Sequence, residues 1–146
     1  MKTNVCKTSA FVLIMVMIAS LFSCKDESQK MTLVIGGDSP TQYEVYLNEF
    51  DSTGGLVALL AHLGDSVKLN YQIKDGKLVK AGALEYNTGD GTDICVYTSV
   101  DADTSKAADR YTVDYKGVTY AEIGVALSNM TLEPGAVIYI GLLRYQ

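Results

Sequence analysis

Alternation with a period of two is the pattern that most limits what this chain can become. Val67, Leu69, Tyr71 and Ile73 are separated by Lys68, Asn70 and Gln72. Side chains on a strand point to opposite faces in turn, so this run predicts a half-buried strand. Asp75-Gly76 follows at once. Both central residues of the commonest two-residue hairpin loop need a positive φ, and Asp-Gly adopts it at little cost. The next strand is expected to start at Lys77 and run towards Tyr86. A strict two-residue register pairs Ile73 with Leu78 and sets Lys74 opposite Lys77, where like charges repel and favour a bulge or a longer loop.

Similar short segments recur along the chain. Met31 to Ile35 is β-prone and is ended by Gly36-Gly37-Asp38-Ser39-Pro40. Gln42 to Phe50 places Tyr43, Val45 and Leu47 on one face, and Asp51-Ser52-Thr53-Gly54-Gly55 breaks it. After the turn at Asn87-Thr88-Gly89-Asp90-Gly91-Thr92, Ile94 to Val100 reads as a strand. Asp101 to Asp109 reads as a loop with room for one helical turn. Tyr111, Val113 and Tyr115 then lead through Lys116-Gly117 to Val118 and Tyr120; that loop pairs Tyr115 with Val118 and Val113 with Tyr120. Glu133-Pro134-Gly135 is a tight turn before a long apolar strand, Ala136 to Tyr145. Leu56 to Leu63 is apolar on all sides and fits either a central strand or helical turns; its Leu and Ala content favours one short helix near residues 55–63. There is no βαβ rhythm, internal repeat or second-domain linker. The expected fold class is therefore mainly β: a single small β-sandwich-like or barrel-like domain over residues 31–146.

The N-terminal segment is of a different kind. Lys2 and Lys7 precede an apolar run from Ala10 to Phe22, and a small residue, Ser23, stands before Cys24. Cationic start, short apolar core and small residue are the parts of a secretory signal. This 13-residue run falls short of the ~20 residues that a spanning helix needs. Leu21-Phe22-Ser23-Cys24 resembles the lipobox of bacterial lipoproteins. The resemblance implies that residues 1–23 are cleaved and that Cys24 carries a thioether-linked diacylglycerol and an amide-linked acyl chain such as palmitate. Residues 24–30 then form a lipidated, flexible tether. Lys25-Asp26-Glu27 also resembles the acidic signals with which some Gram-negative bacteria send lipoproteins to the outer face of the outer membrane. A lipid-anchored protein facing the cell exterior is the implied location, with a periplasm-facing anchor as the alternative.

Charge and cysteine content narrow the partners. Without Lys2 and Lys7 the net charge moves from −5 to −7, and the whole-chain pI is about 4.7. This excludes nucleic acid as an expected partner, since phosphate backbones select clustered Lys and Arg. With Cys6 removed and Cys24 lipidated, Cys95 stands alone in a strand-like run and is expected to be a buried, inert thiol. No disulfide then braces the domain, and the apolar core must hold it.

The residue types that carry chemistry are sparse. His62, the single histidine, lies among Leu59, Leu60 and Leu63, and no Gly-x-Ser-x-Gly elbow accompanies it. One histidine and one remaining thiol make a poor zinc set. Asp101, Asp103 and Ser105 have the alternate spacing of a calcium loop, but Lys106 and Thr112 stand where such a loop needs Gly and Glu. Asn87, Asp90 and Asp93 form an equally weak set, and turn chemistry accounts for both. No phosphate loop or dinucleotide fingerprint is present, so no metal or cofactor is expected. Paired carboxylates of the kind that hydrolyse glycosides cannot be picked out among 17 acidic residues. All ten tyrosines follow Cys24, and Tyr111, Tyr115 and Tyr120 are the first candidates for a binding surface.

The resulting expectation is a small, non-catalytic lipoprotein with one β domain that binds a protein or glycan partner at the cell envelope. A pilin-like structural or adhesive subunit, with Ala136 to Tyr145 completing a neighbour's sheet, is the second reading. An envelope hydrolase is the third.

Overall fold

In the computed structural model the described residues are 25–89 and 91–144. Residues 1–23, expected to form a signal, and Cys24 lie outside them, as do Asp90 and Tyr145. The strands are β1 (Lys30–Ile35), β2 (Thr41–Tyr46), β3 (Tyr71–Lys74), β4 (Lys77–Ala81), β5 (Leu84–Glu85), β6 (Thr92–Thr98), β7 (Thr112–Tyr115), β8 (Val118–Glu122) and β9 (Val137–Arg144), with one helix, α1 (Gly55–Val67). The domain is mainly β. A six-stranded sheet runs β2-β1-β9-β6-β8-β7, and a three-stranded sheet runs β3-β4-β5. β1 pairs with β9 in parallel, and the other pairings are antiparallel.

Period-two alternation builds the inner face of the large sheet. Met31, Leu33 and Ile35 from β1 share that face with Ile138 and Ile140 from β9 and with Ile94 and Val96 from β6. α1 and the small sheet cover it. Leu56, Leu59, Leu60 and Leu63 form the helix's buried stripe, at the spacing that puts side chains on one face of a 3.6-residue turn. Leu78, Ala81 and Leu84 enter the same core from the small sheet. The arrangement is sandwich-like, not barrel-like. The large sheet stays open, ending at β2 on one side and β7 on the other.

Both short hairpins form in the expected registers. Asp75 and Gly76 have φ of 51° and 76°, and Lys116 and Gly117 have 50° and 78°, the all-positive pattern of a type I′ turn. Ile73 pairs with Leu78 and Lys74 with Lys77, and the ladder slips between Gln72 and Ile73. Tyr115 pairs with Val118 and Val113 with Tyr120. β9 lies between β1 and β6 in the middle of its own sheet.

Three strand expectations need correction. The run from Gln42 to Phe50 leaves the sheet after Tyr46, and Leu47–Glu49 is a 3-10 turn. Val67 does not begin a strand; it is the last residue of α1, 52% exposed, and Lys68 closes the helix in a left-handed conformation while its N–H donates to the Leu63 carbonyl. β3 therefore starts only at Tyr71, although Leu69 still reaches the core. Lys77 to Tyr86 is not one strand either. The chain reverses at Gly82, φ 58°, so that Ala81 pairs with Leu84.

The loops carry their own fastening. Gly55 has φ 56°, and a Cβ there would stand 2.6 Å from the Leu127 carbonyl oxygen, so this helix start needs glycine for both reasons. Asp103, on a 3-10 turn after β6, is buried, and its carboxylate accepts hydrogen bonds from the Thr131 N–H and hydroxyl. Asp103→Ala leaves the Thr131 N–H without its charged acceptor. The expected loss is about 2 kcal/mol, read by urea unfolding. An unchanged midpoint with an unchanged slope would contradict this role.

Candidate functional site

The outer face of the large sheet holds a tyrosine cluster that includes one of the three candidates, Tyr115. Tyr97 and Tyr139 are opposite each other on β6 and β9, with ring centroids 6.2 Å apart in an edge-on arrangement. Tyr115 tilts against Tyr139 at 5.5 Å. Room for the Tyr139 ring comes from Gly36, where a Cβ would collide with it, and from Gly141, where a Cβ would press against its edge. The tip of the β7–β8 hairpin reaches the far edge strand: Lys116 Nζ donates to Gln42 Oε1 at 2.9 Å, beside Tyr115. β7 and β2 end opposite sides of the strand order, so this contact requires the hairpin to curl back over the outer face. Val34 beneath is 0% exposed although it points away from the main core.

The three candidate tyrosines therefore do not share one open surface. Tyr120 is buried, Tyr115 is half-buried against Tyr139, and Tyr111 is 43% exposed. Burial disfavours the phenolate and pushes the pKa of Tyr97 above its ordinary range, and it does the same to Tyr139, with a smaller contribution from Tyr115. Cys95 lies on the same face, half-buried. Burial also pushes its thiol up, opposed by a hydrogen bond with Tyr97 and reinforced by Glu122 and Asp93. A raised thiol is a poor nucleophile at neutral pH.

His62 is held between two neighbours. Its ring stacks on Phe50 at 4.8 Å, and Nε2 lies 3.7 Å from Glu49 Oε2. In the Asp-rich loop, Asp103 is turned towards Thr131, while the Asp101 carbonyl accepts from Lys106 Nζ at 2.8 Å. Among the described residues no three His, Cys, Asp or Glu side chains converge as a metal-ligand set.

An aromatic side chain that the sequence did not single out stands in the open. Tyr86 follows β5, is 42% exposed, and borders two clefts. The first, about 330 Å³, is lined by Lys74, Asp75, Lys77, Val79 and Asp93. The second, about 480 Å³, is lined by Glu85, Asn87, Thr92, Leu142 and Arg144. Leu142 is itself exposed. A third cleft, about 230 Å³, shares Lys77, Leu78 and Asp93 with the first and runs on over Ile94 and Val96. Tyr86 is fixed by the short return at Gly82, which pairs β5 with β4; its N–H donates to the Val79 carbonyl at 2.9 Å. A ring with charged and amide groups on either side offers an apolar platform and directional hydrogen bonds together.

No protein family, curated protein or solved structure was found to match this chain.

Proposed function

We propose that this chain is a lipid-anchored, non-catalytic binding module of the bacterial cell envelope, attached through Cys24 and presenting the Tyr86 clefts to a glycan or protein partner. The anchor is supported by Leu21-Phe22-Ser23-Cys24 behind a 13-residue apolar run. The binding surface is supported by one observation above the others: an exposed tyrosine between two clefts lined by lysine, arginine, asparagine and carboxylates. Flat apolar faces with polar edges are what a sugar ring or a peptide side chain presents to such a site. Lys25-Asp26-Glu27 favours the outer face of the outer membrane.

Two measurements test this reading. Protease added to intact cells is expected to remove the domain while a periplasmic marker survives. Protection of the domain beside a cleaved surface control would place the anchor on the periplasmic side instead. On a glycan array, and in pull-downs from envelope extracts, the soluble domain is expected to retain a ligand that Tyr86→Ala binds about tenfold more weakly, as the loss of a stacked ring worth about 1.4 kcal/mol would give. Equal binding by the Tyr86→Ala variant would remove Tyr86 from the site.

A further inference from the structure

The residues next to the anchor are fastened to the domain. Asp26 accepts from the Ser28 N–H at 3.0 Å and from its hydroxyl at 2.6 Å, closing a 3-10 turn at Glu27–Gln29. Glu27 accepts from the Tyr46 hydroxyl at 2.9 Å and pairs with Lys30 at 2.7 Å; Lys30 also lies 3.7 Å from Glu44. Lys25 Nζ sits 4.8 Å from the centre of the Tyr46 ring. Consistent with these contacts, the Lys30 bond chiefly, then the Tyr46 bond, holds the Glu27 carboxyl below its usual range, and the Ser28 bonds do so for Asp26. These contacts are individually weak, and all but the part-buried Tyr46–Glu27 bond are largely exposed. Together they occupy every charged side chain between Lys25 and Lys30, which is the stretch the sequence reads as tether.

We infer that the domain abuts the phospholipid headgroups with the end at which β1 begins, and that the Tyr86 clefts point away from the bilayer; this rests on the reading of Cys24 as the lipidated residue. Successive Cα atoms are about 3.8 Å apart, so an acyl chain on Cys24 starts one residue from a lysine that is already seated on β2. A free tether of six residues would instead wander by about 13 Å. The Gly135 N–H donates to the Lys30 carbonyl at 2.8 Å, which puts the exposed Glu133-Pro134-Gly135 turn at the same end. From there β1 and β9 run in parallel away from the anchor. β9 ends at Arg144 beside Thr92, and both border the cleft next to Tyr86. Eight residues of β9 span about 26 Å, so the clefts stand roughly that far beyond the headgroups. Charge does not draw this end to the bilayer, because Glu27, Glu44 and Glu133 are all exposed there. The contact is imposed by the shortness of the link.

Fluorescence quenching reads this orientation directly. The full-length lipidated protein, with Cys95→Ser, would carry a bimane label at Glu133→Cys or at Asp38→Cys, which lies in the turn at the far end of β1. It would be inserted into vesicles of phosphatidylethanolamine and phosphatidylglycerol containing a lipid with a nitroxide on its headgroup. Label at position 133 is expected to be quenched several-fold more than label at position 38. Inserting ten Gly and Ser residues between Cys24 and Lys25 should bring position 133 down to the level of position 38. Equal quenching at the two positions of the parent protein, on vesicles that still carry the protein upward in flotation, would overturn the orientation and leave the anchor intact. Quenching at 133 that survives the spacer would equally overturn it, because the link would then not set the contact. A protein that does not float at all would overturn the anchor reading and this inference with it.

Discussion

Cys24→Ala is expected to abolish incorporation of labelled palmitate and to release the domain from the membrane fraction. The thiol is the only atom on this side chain that can form the thioether, and alanine has none. The size of the effect follows from the energetics of the anchor. Each buried CH₂ contributes about 0.8 kcal/mol, so one chain holds a protein reversibly and two or more hold it for practical purposes permanently. With residues 1–23 cleaved as proposed, the net charge of −7 opposes anionic lipid, and none of the described helices is long and apolar enough to cross a bilayer. The measurement is metabolic labelling followed by immunoprecipitation, with fractionation beside it. Label retained by Cys24→Ala would sink the assignment, whatever the fractionation shows.

Leu60→Ala is expected to destabilise the domain by about 3 kcal/mol. Leu60 is fully buried on the inward stripe of α1, between the helix and the inner face of the six-stranded sheet. Truncation there loses the transfer free energy of the removed atoms and leaves a hole that the sheet beneath cannot close; such changes cost about 2–5 kcal/mol. A domain of this size has about 5–15 kcal/mol in all, so the fraction unfolded should rise more than a hundredfold. Val67→Ala, at the exposed last turn of the same helix, is the control and should change stability by less than about 0.5 kcal/mol. Urea titrations of both decide the matter. If Leu60→Ala were as mild as Val67→Ala, α1 would not be part of the core.

What could be read from the residues was local. Asp75-Gly76 and Lys116-Gly117 specify their turns through backbone conformations that neighbouring residues cannot veto, and both hairpins keep the expected register. The run from Leu56 to Leu63 leans to helix only through its Leu and Ala content, and its leucines fall on one helical face once a core exists to receive them. Its end leans neither way. Val67 and Leu69 fit a strand by alternation and a helix end equally well, and the left-handed Lys68 that decides between them has no sequence signature. The return at Gly82 is missed because its partner is alanine, not asparagine or aspartate.

The candidate site was harder to read for a related reason. Tyr86 differs from Tyr111, Tyr115 and Tyr120 only in what lies across from it. Arg144 and Leu142 come from the far end of the chain, and Lys74 and Lys77 from the preceding hairpin. Tyr120 is buried while Tyr111, of the same residue type and immediately before the partner strand, is exposed, a difference that strand alternation does not announce.

Because β9 slots between β1 and β6, the large sheet has no middle until Val137–Arg144 is in place. The strands on either side of the gap cannot lock together beforehand, and contacts that join distant parts of a chain form slowly. β1 must therefore wait for a partner from far along the chain, and this sheet is expected to close more slowly than either two-residue hairpin.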